Sequence, residues 1–204
     1  MSETSKPRFT SLNSHLYHIS KASDSLRHLI LDISRAARYI QFAIRTTETG
    51  IAGSRNAYGE DQIKLDVLSN DIIEEHLSES HLVASYISEE RDEVVVLNPD
   101  APYSVVFDPL DGSSLVDVNF AVGSIFGIYQ GTEIVGRTPR EQVAALYVIY
   151  GPRTLLVYST GNSVHEFLLN DVGEFVLIRE FLGVGDVAKN YSPGNLRALS
   201  DNSG

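Results

Sequence analysis

The sequence predicts an α+β fold in which two long N-terminal helices pack on a mixed, mostly antiparallel sheet. Two observations carry that prediction. Apolar residues recur at helical spacing between Leu26 and Leu77, and after His81 the pattern changes to extended runs separated by hairpin-type turns. The chain has 204 residues, 43% of them hydrophobic, which is enough apolar surface to build a sizeable core.

Residues 1–20 mix polar side chains with Pro7 and show no sustained period, so they read as a loose arm before a domain spanning 21–204. Leu29, Ile30, Ile33, Ala37, Ile40 and Ile44 then define one face of a helix of about 20 residues, with Ser23, Asp24 and Ser25 as cap and first-turn residues. Thr46 to Asp61 carries Gly50, Gly53 and Gly59 among polar residues and reads as a mobile loop. Leu65, Leu68, Ile72, Ile73, His76 and Leu77 mark a second helix starting near Lys64 to Asp66, with His76 at the edge of its apolar stripe.

Eight extended runs follow: Leu82 to Ile87, Val94 to Leu97, Tyr103 to Phe107, Phe120 to Tyr129, Gln142 to Tyr150, Thr154 to Ser159, Val164 to Leu169 and Glu174 to Ile178. Gly151-Pro152, Gly161-Asn162 and Asn170 to Gly173 punctuate the later ones as hairpin turns. No repeat or low-complexity tract interrupts the series.

Composition excludes several functions. Sixteen Lys and Arg against 27 Asp and Glu give a net charge of −11, which opposes nucleic-acid binding. It leaves a phosphorylated substrate open, because divalent cations invert the local field. With no Cys there is no disulfide, thiolate metal site or thiol nucleophile, so any metal must be held by carboxylate, carbonyl or imidazole groups. No apolar run approaches the ~18 residues of a membrane span and the N-terminus lacks a signal-peptide core, so a cytoplasmic protein without a membrane partner is expected.

The acidic residues are concentrated. Glu89 and Glu90 follow the run ending at Ser88, and Asp108 and Asp111 follow the run ending at Phe107, so both pairs are expected where strands end. Carboxylates projected from neighbouring strand ends suit a hard cation such as Mg²⁺. In Asp108-Pro109-Leu110-Asp111 the proline is expected to set a turn that brings both aspartates to one side, with a freed carbonyl between them. Gly112, Ser113 and Ser114 then offer donors with little bulk, as a phosphate requires. Each piece alone also has a purely structural reading. Paired glutamates commonly end a solvated strand, Asp-Pro-Leu-Asp-Gly makes a surface turn, serines cap helices, and Asp66 and Asp71 suit the start of a helix.

Taken together, Lys64-Leu65-Asp66-Val67-Leu68-Ser69-Asn70-Asp71, Ser88-Glu89-Glu90, Phe107 to Ser114 and Gly123 to Tyr129 resemble class I fructose-1,6-bisphosphatase, in order and in spacing. The aspartate motif is shared more loosely with the lithium-sensitive phosphatases. The resemblance implies the N-terminal half of the sugar phosphatase fold, a metal-binding domain that in the family continues into a C-terminal sugar-binding domain absent from this chain. It implies Mg²⁺, with Mn²⁺ as an alternative, held by Glu89, Glu90, Asp108, the Leu110 carbonyl and Asp111. It assigns catalytic roles to Asp66 and Glu90 in activating water and to Asp61 on the mobile loop. Gly112, Ser113 and Ser114 would hold the substrate phosphate. The implied reaction is hydrolysis of the 1-phosphate of fructose 1,6-bisphosphate by a homo-oligomer, dimer or tetramer, with weak turnover expected of this chain alone. Sedoheptulose-1,7-bisphosphatase is the neighbouring alternative, and a non-catalytic scaffold that kept the fold is a third. Where the family's AMP cradle has Thr-Gly-Glu-x-Thr and a Lys-Tyr pair, this sequence has Ser23 to Arg27 and Pro102-Tyr103. Only Tyr103 and Arg140 remain of that pattern, so AMP inhibition is not expected.

Overall fold

The computed structural model describes residues 9–47, 51–55, 61–183 and 185. Three helices, α1 (Leu12–His18), α2 (Asp24–Thr46) and α3 (Lys64–Ser80), pack on an eight-stranded sheet. Its strands are β3 (Val83–Ser88), β4 (Val95–Val96), β5 (Tyr103–Asp111), β6 (Val122–Gln130), β7 (Gln142–Tyr150), β8 (Leu155–Ser159), β9 (Val164–Leu169) and β10 (Phe175–Leu182). Their order across the sheet is β10-β9-β8-β7-β6-β5-β3-β4. The β3–β5 pair is parallel and the others are antiparallel, so the sheet is mixed and mostly antiparallel, as expected.

The core lies between the helices and one face of this sheet. Leu29, Ile30, Ile33, Ala37 and Ile40 of α2 are buried with the alternate residues Phe126 and Ile128 of β6 and Leu146 and Val148 of β7. Ser23 caps α2 by accepting from the Leu26 N–H at 3.2 Å. Strand parity puts Ile125 and its cross-strand partner Tyr147 on the opposite face, where they are 48% and 42% exposed. Among the described residues no helix is long and apolar enough to cross a membrane.

Two expectations are corrected. The supposed loose arm contains α1, capped by Ser11, whose Leu12, His15 and Leu16 are buried. The His15 ring nitrogens meet the Tyr158 hydroxyl at 2.6 Å and Glu180 at 3.1 Å, and that polar anchoring gives a seven-residue helix its place on the sheet. The stretch expected as a loop from Thr46 to Asp61 ends α2 and then includes an antiparallel pair, β1 (Ile51–Arg55) with β2 (Asp61–Ile63). Ladder hydrogen bonds there override the glycine-rich composition. The rest of that expectation, residues 48–50 and 56–60, lies outside the described residues.

One close approach sets the β6–β7 spacing. A Cβ added at Gly123 would stand 2.8 Å from the Val148 carbonyl oxygen, with only backbone there to yield. Gly123→Ala should therefore destabilise the chain by about 1–3 kcal/mol in a urea melt; an unchanged midpoint would show that the strands separate freely.

Candidate active site

The parallel pairing of β3 with β5 runs in register from Tyr86 opposite Val105 to Ser88 opposite Phe107. The next step of the ladder continues past β3, where the Glu89 N–H donates to the Phe107 carbonyl at 3.0 Å. Glu89, just past β3, is thereby set beside Asp108, which lies within β5 and not beyond its end as the sequence suggested. Glu90 follows in a turn whose N–H donates to Ser88 Oγ at 3.2 Å. Ser88 Oγ in turn donates to Asn70 Oδ1 at 2.7 Å, tying β3 to α3, whose first turn carries the buried Asp66.

Asp108 to Asp111 was expected as a turn, and the structure makes it a bulge at the end of β5. The pairing with β6 steps from Asp108 opposite Ile125 to Asp111 opposite Gly123, so β5 holds one extra residue around Pro109, which has no N–H to pair. The Leu110 N–H donates back to Asp108 Oδ1 at 3.0 Å. Beneath the bulge, Ser124 Oγ donates to the Pro109 carbonyl at 2.7 Å and lies 2.9 Å from the Tyr150 hydroxyl. Ser124 has one hydroxyl proton, already given to Pro109, so Tyr150 is the donor to Ser124. Sequence reasoning assigned no part to Ser124, Tyr150 or the Asn70–Ser88 tie. The available signal was a polar residue at a core-face position of β6, between Val122 and Phe126, which burial obliges to find partners.

Gly112 follows the bulge with φ +78°, a conformation that favours glycine, and opens the 3-10 helix Ser113–Val118. Ser113 is half-buried and Ser114 exposed at its start. Asp61 lies in β2, paired through the backbone with Arg55; its side chain is outside the described residues. A cavity of about 760 Å³ opens beside the acidic residues, lined in part by Ser88, Glu89, Arg91, Asp108, Ile125 and Tyr147. Tyr103, one of the two remaining elements of the nucleotide pattern, lies elsewhere, its hydroxyl 3.0 Å from both Ser23 Oγ and Ser25 Oγ at the start of α2.

The carboxylates act on one another. Burial, then the charges of Glu90, Asp108 and Asp66, push the Glu89 carboxyl up to about 8. Asp108 is raised to about 6, first by burial and further by Asp111, Glu90 and Asp66, against the lowering effect of the Leu110 N–H. Five acidic side chains from α3, β3 and β5 thus share one electrostatic environment. The donors are all oxygen, which suits a hard divalent cation and gives a physical reason for one: it would offset repulsion that protonation otherwise relieves. Among the described residues no three His, Asp or Glu side chains are closed into a ready metal cage.

A family model described as the N-terminal domain of fructose-1,6-bisphosphatase matches residues 7–180. The class 1 fructose-1,6-bisphosphatase of Geobacter sulfurreducens is 48% identical over 199 residues, covering 96% of this chain and 63% of the relative. The chloroplastic sedoheptulose-1,7-bisphosphatase of Spinacia oleracea is 42% identical over 182 residues, covering 87% of this chain and 47% of the relative. The crystal structure of Leishmania major fructose-1,6-bisphosphatase in holo form aligns with a TM-score of 0.76 at 30% identity, over 86% of this chain and 60% of that one. The chain therefore spans less than two thirds of the length of these relatives.

The raised carboxyls make stability depend on pH with a definite sign. A folded Glu89 at about 8 keeps a proton that the unfolded chain, at its ordinary value of 4.5, has released, so stability is lost as pH rises toward 8. His15 and His165, both lowered by burial, act in the opposite sense only below about their ordinary 6.5, which leaves pH 6.5 to 8 to the carboxyls. Melting temperature in a chelator should fall across that window and fall less in millimolar Mg²⁺. A melt insensitive to both pH and cation would refute the shared acidic environment.

Proposed function

The chain belongs to the fructose-1,6-bisphosphatase family, and from that premise we propose that it supplies the metal- and phosphate-binding part of an enzyme that hydrolyses the 1-phosphate of fructose 1,6-bisphosphate. The observation that carries this reading is the parallel β3–β5 ladder, which delivers Glu89 and Asp108 side by side with Asp66, Glu90 and Asp111 around them. In this reading Glu89, Glu90, Asp108, Asp111 and the Leu110 carbonyl hold Mg²⁺, or alternatively Mn²⁺. When bound, the ions neutralise the phosphate oxygens, acidify the attacking water and stabilise the leaving sugar alkoxide.

The chain's own groups do the rest. Asp66 with Glu90 accepts the proton of the water attacking phosphorus. The N–H groups from Gly112 onward and the Ser113 and Ser114 hydroxyls orient the phosphate for in-line displacement, and the left-handed Gly112 leaves that turn without a side chain in the way. Asp61, on β2 immediately before α3, takes the further catalytic role in this reading. A cytoplasmic homo-oligomer belongs to the same reading. Binding energy from the non-reacting end of a substrate positions the reacting phosphate, and turnover by residues 1–204 alone is expected to be weak.

The spinach relative favours sedoheptulose 1,7-bisphosphate as a second substrate, so the assay compares both. Phosphate release should be measured for this chain joined to the C-terminal region of the Geobacter relative, with Mg²⁺. Fructose 1,6-bisphosphate is expected to be the faster substrate, and Asp108→Asn should lower kcat by roughly a hundredfold, the scale of removing one group that stabilises developing charge. Undiminished turnover in Asp108→Asn would overturn the mechanism; a faster sedoheptulose bisphosphate would reassign the substrate.

A further inference from the structure

Arg91 leaves the chain directly after the two glutamates of the acidic turn. Among the described residues it is the only basic one lining the cavity of about 760 Å³ that Glu89 and Asp108 also line. Its N–H donates to the Ser88 carbonyl at 3.2 Å, which closes the turn carrying Glu89 and Glu90. A guanidinium placed there has carboxylates on two sides, those of the cluster and those of α3.

The structure shows it turned to α3. Arg91 Nη2 donates to Glu74 Oε2 at 2.8 Å and lies 3.8 Å from Asp71 Oδ1. Glu74 stands one helical turn on from Asn70, whose Nδ2 is 3.5 Å from the same carboxylate oxygen. Asn70 Oδ1 accepts from Ser88 Oγ at 2.7 Å, so α3 grips the acidic turn at both ends, at Ser88 and at Arg91. The Glu74 and Arg91 side chains are 33% and 45% exposed, and an ion pair so open to water adds little to the stability of the fold. Its effect is directional: it decides where the charge of the arginine goes.

We propose that Glu74 is a positioning residue that keeps Arg91 out of the acidic cluster. The inference rests on the reading that Glu89, Glu90, Asp108 and Asp111 hold a divalent cation. A guanidinium is always charged and matches a carboxylate through paired N–H donors. An Arg91 released from Glu74 turns to Glu89 or Asp108 and occupies oxygens that a cation needs, so the metal must displace it. Glu74 offers the arginine an equivalent partner on the far side of the turn, and the Asp71 charge adds to that attraction. Neutralising Glu74 therefore does more than subtract one negative charge near the cluster: it frees a competitor for it.

A double-mutant cycle separates these two effects. Mn²⁺ binding to the whole chain should be titrated by the electron paramagnetic resonance signal of the free ion, with the site taken as the binding lost in Asp108→Asn. Glu74→Gln should weaken that site by about tenfold while Arg91 is present, and by less than about twofold in the Arg91→Ala background. Loss of a nearby charge alone acts equally in both backgrounds, so equal losses would overturn the proposal, as would undiminished affinity in Glu74→Gln. In the chain joined to the C-terminal region of the Geobacter relative, Glu74→Gln should raise the Mg²⁺ concentration for half-maximal activity and keep kcat at saturating Mg²⁺. A lowered kcat with an unchanged Mg²⁺ requirement would mark a structural role and overturn it as well. No Mn²⁺ binding by the unmodified chain would overturn the cation site and this inference together, whereas normal binding with equal losses would overturn the inference alone.

Discussion

The parallel pairing of β3 with β5 is the constraint on which the rest of the site depends. In an antiparallel pair the residues that follow one strand lie at the opposite end from those that follow its neighbour. Only parallel neighbours run the same way, and only then does Glu89, just past the end of β3, come to lie beside Asp108 within β5. Parallel pairing also requires the chain to travel back before it can pair, and it does so through the short β4 strand on the outer side of β3. Each further acidic residue is positioned relative to that pair, Asp66 from the start of α3 and Asp111 across the β5 bulge.

Such an arrangement opposes stability unless the surrounding groups hold it. Carboxyls raised to about 8 and about 6 show that burial and mutual repulsion outweigh the single N–H given to Asp108. The backbone is held from below by neutral hydrogen bonds, from Tyr150 to Ser124 to the Pro109 carbonyl and from Ser88 to Asn70. Neutral groups can support an acidic site from within the core without adding buried charge, which is the costlier alternative. The site therefore combines a rigid neutral support with an electrostatic surface that a cation or a proton must complete.

Much of this was legible in the sequence because it is local. The 3.6-residue period gave α2 and α3, cap chemistry gave the start of α2, and β7 and β9 match their expected bounds. The candidate site residues stood out as motif and resemblance, and spacing alone did not show which strands would be neighbours. What was missed depends on partners distant in sequence. The anchoring of α1 relies on His15 meeting Tyr158 and Glu180, a contact that an apolar period does not register. The Asp-Pro-Leu-Asp motif reads as a turn in isolation and becomes a bulge because β6 pairs on both sides of it.

The central claim is that the ends of β3 and β5 form a cation site. Paramagnetic broadening by Mn²⁺ in an isotope-labelled sample tests it most directly, since the effect falls steeply with distance and needs no catalysis. Substoichiometric Mn²⁺ should first erase the amide signals of Glu89, Glu90, Asp108, Leu110, Asp111 and Gly112, and leave those of α1 and β9 intact. Broadening that begins elsewhere, or spreads evenly over the exposed carboxylates, would contradict the account.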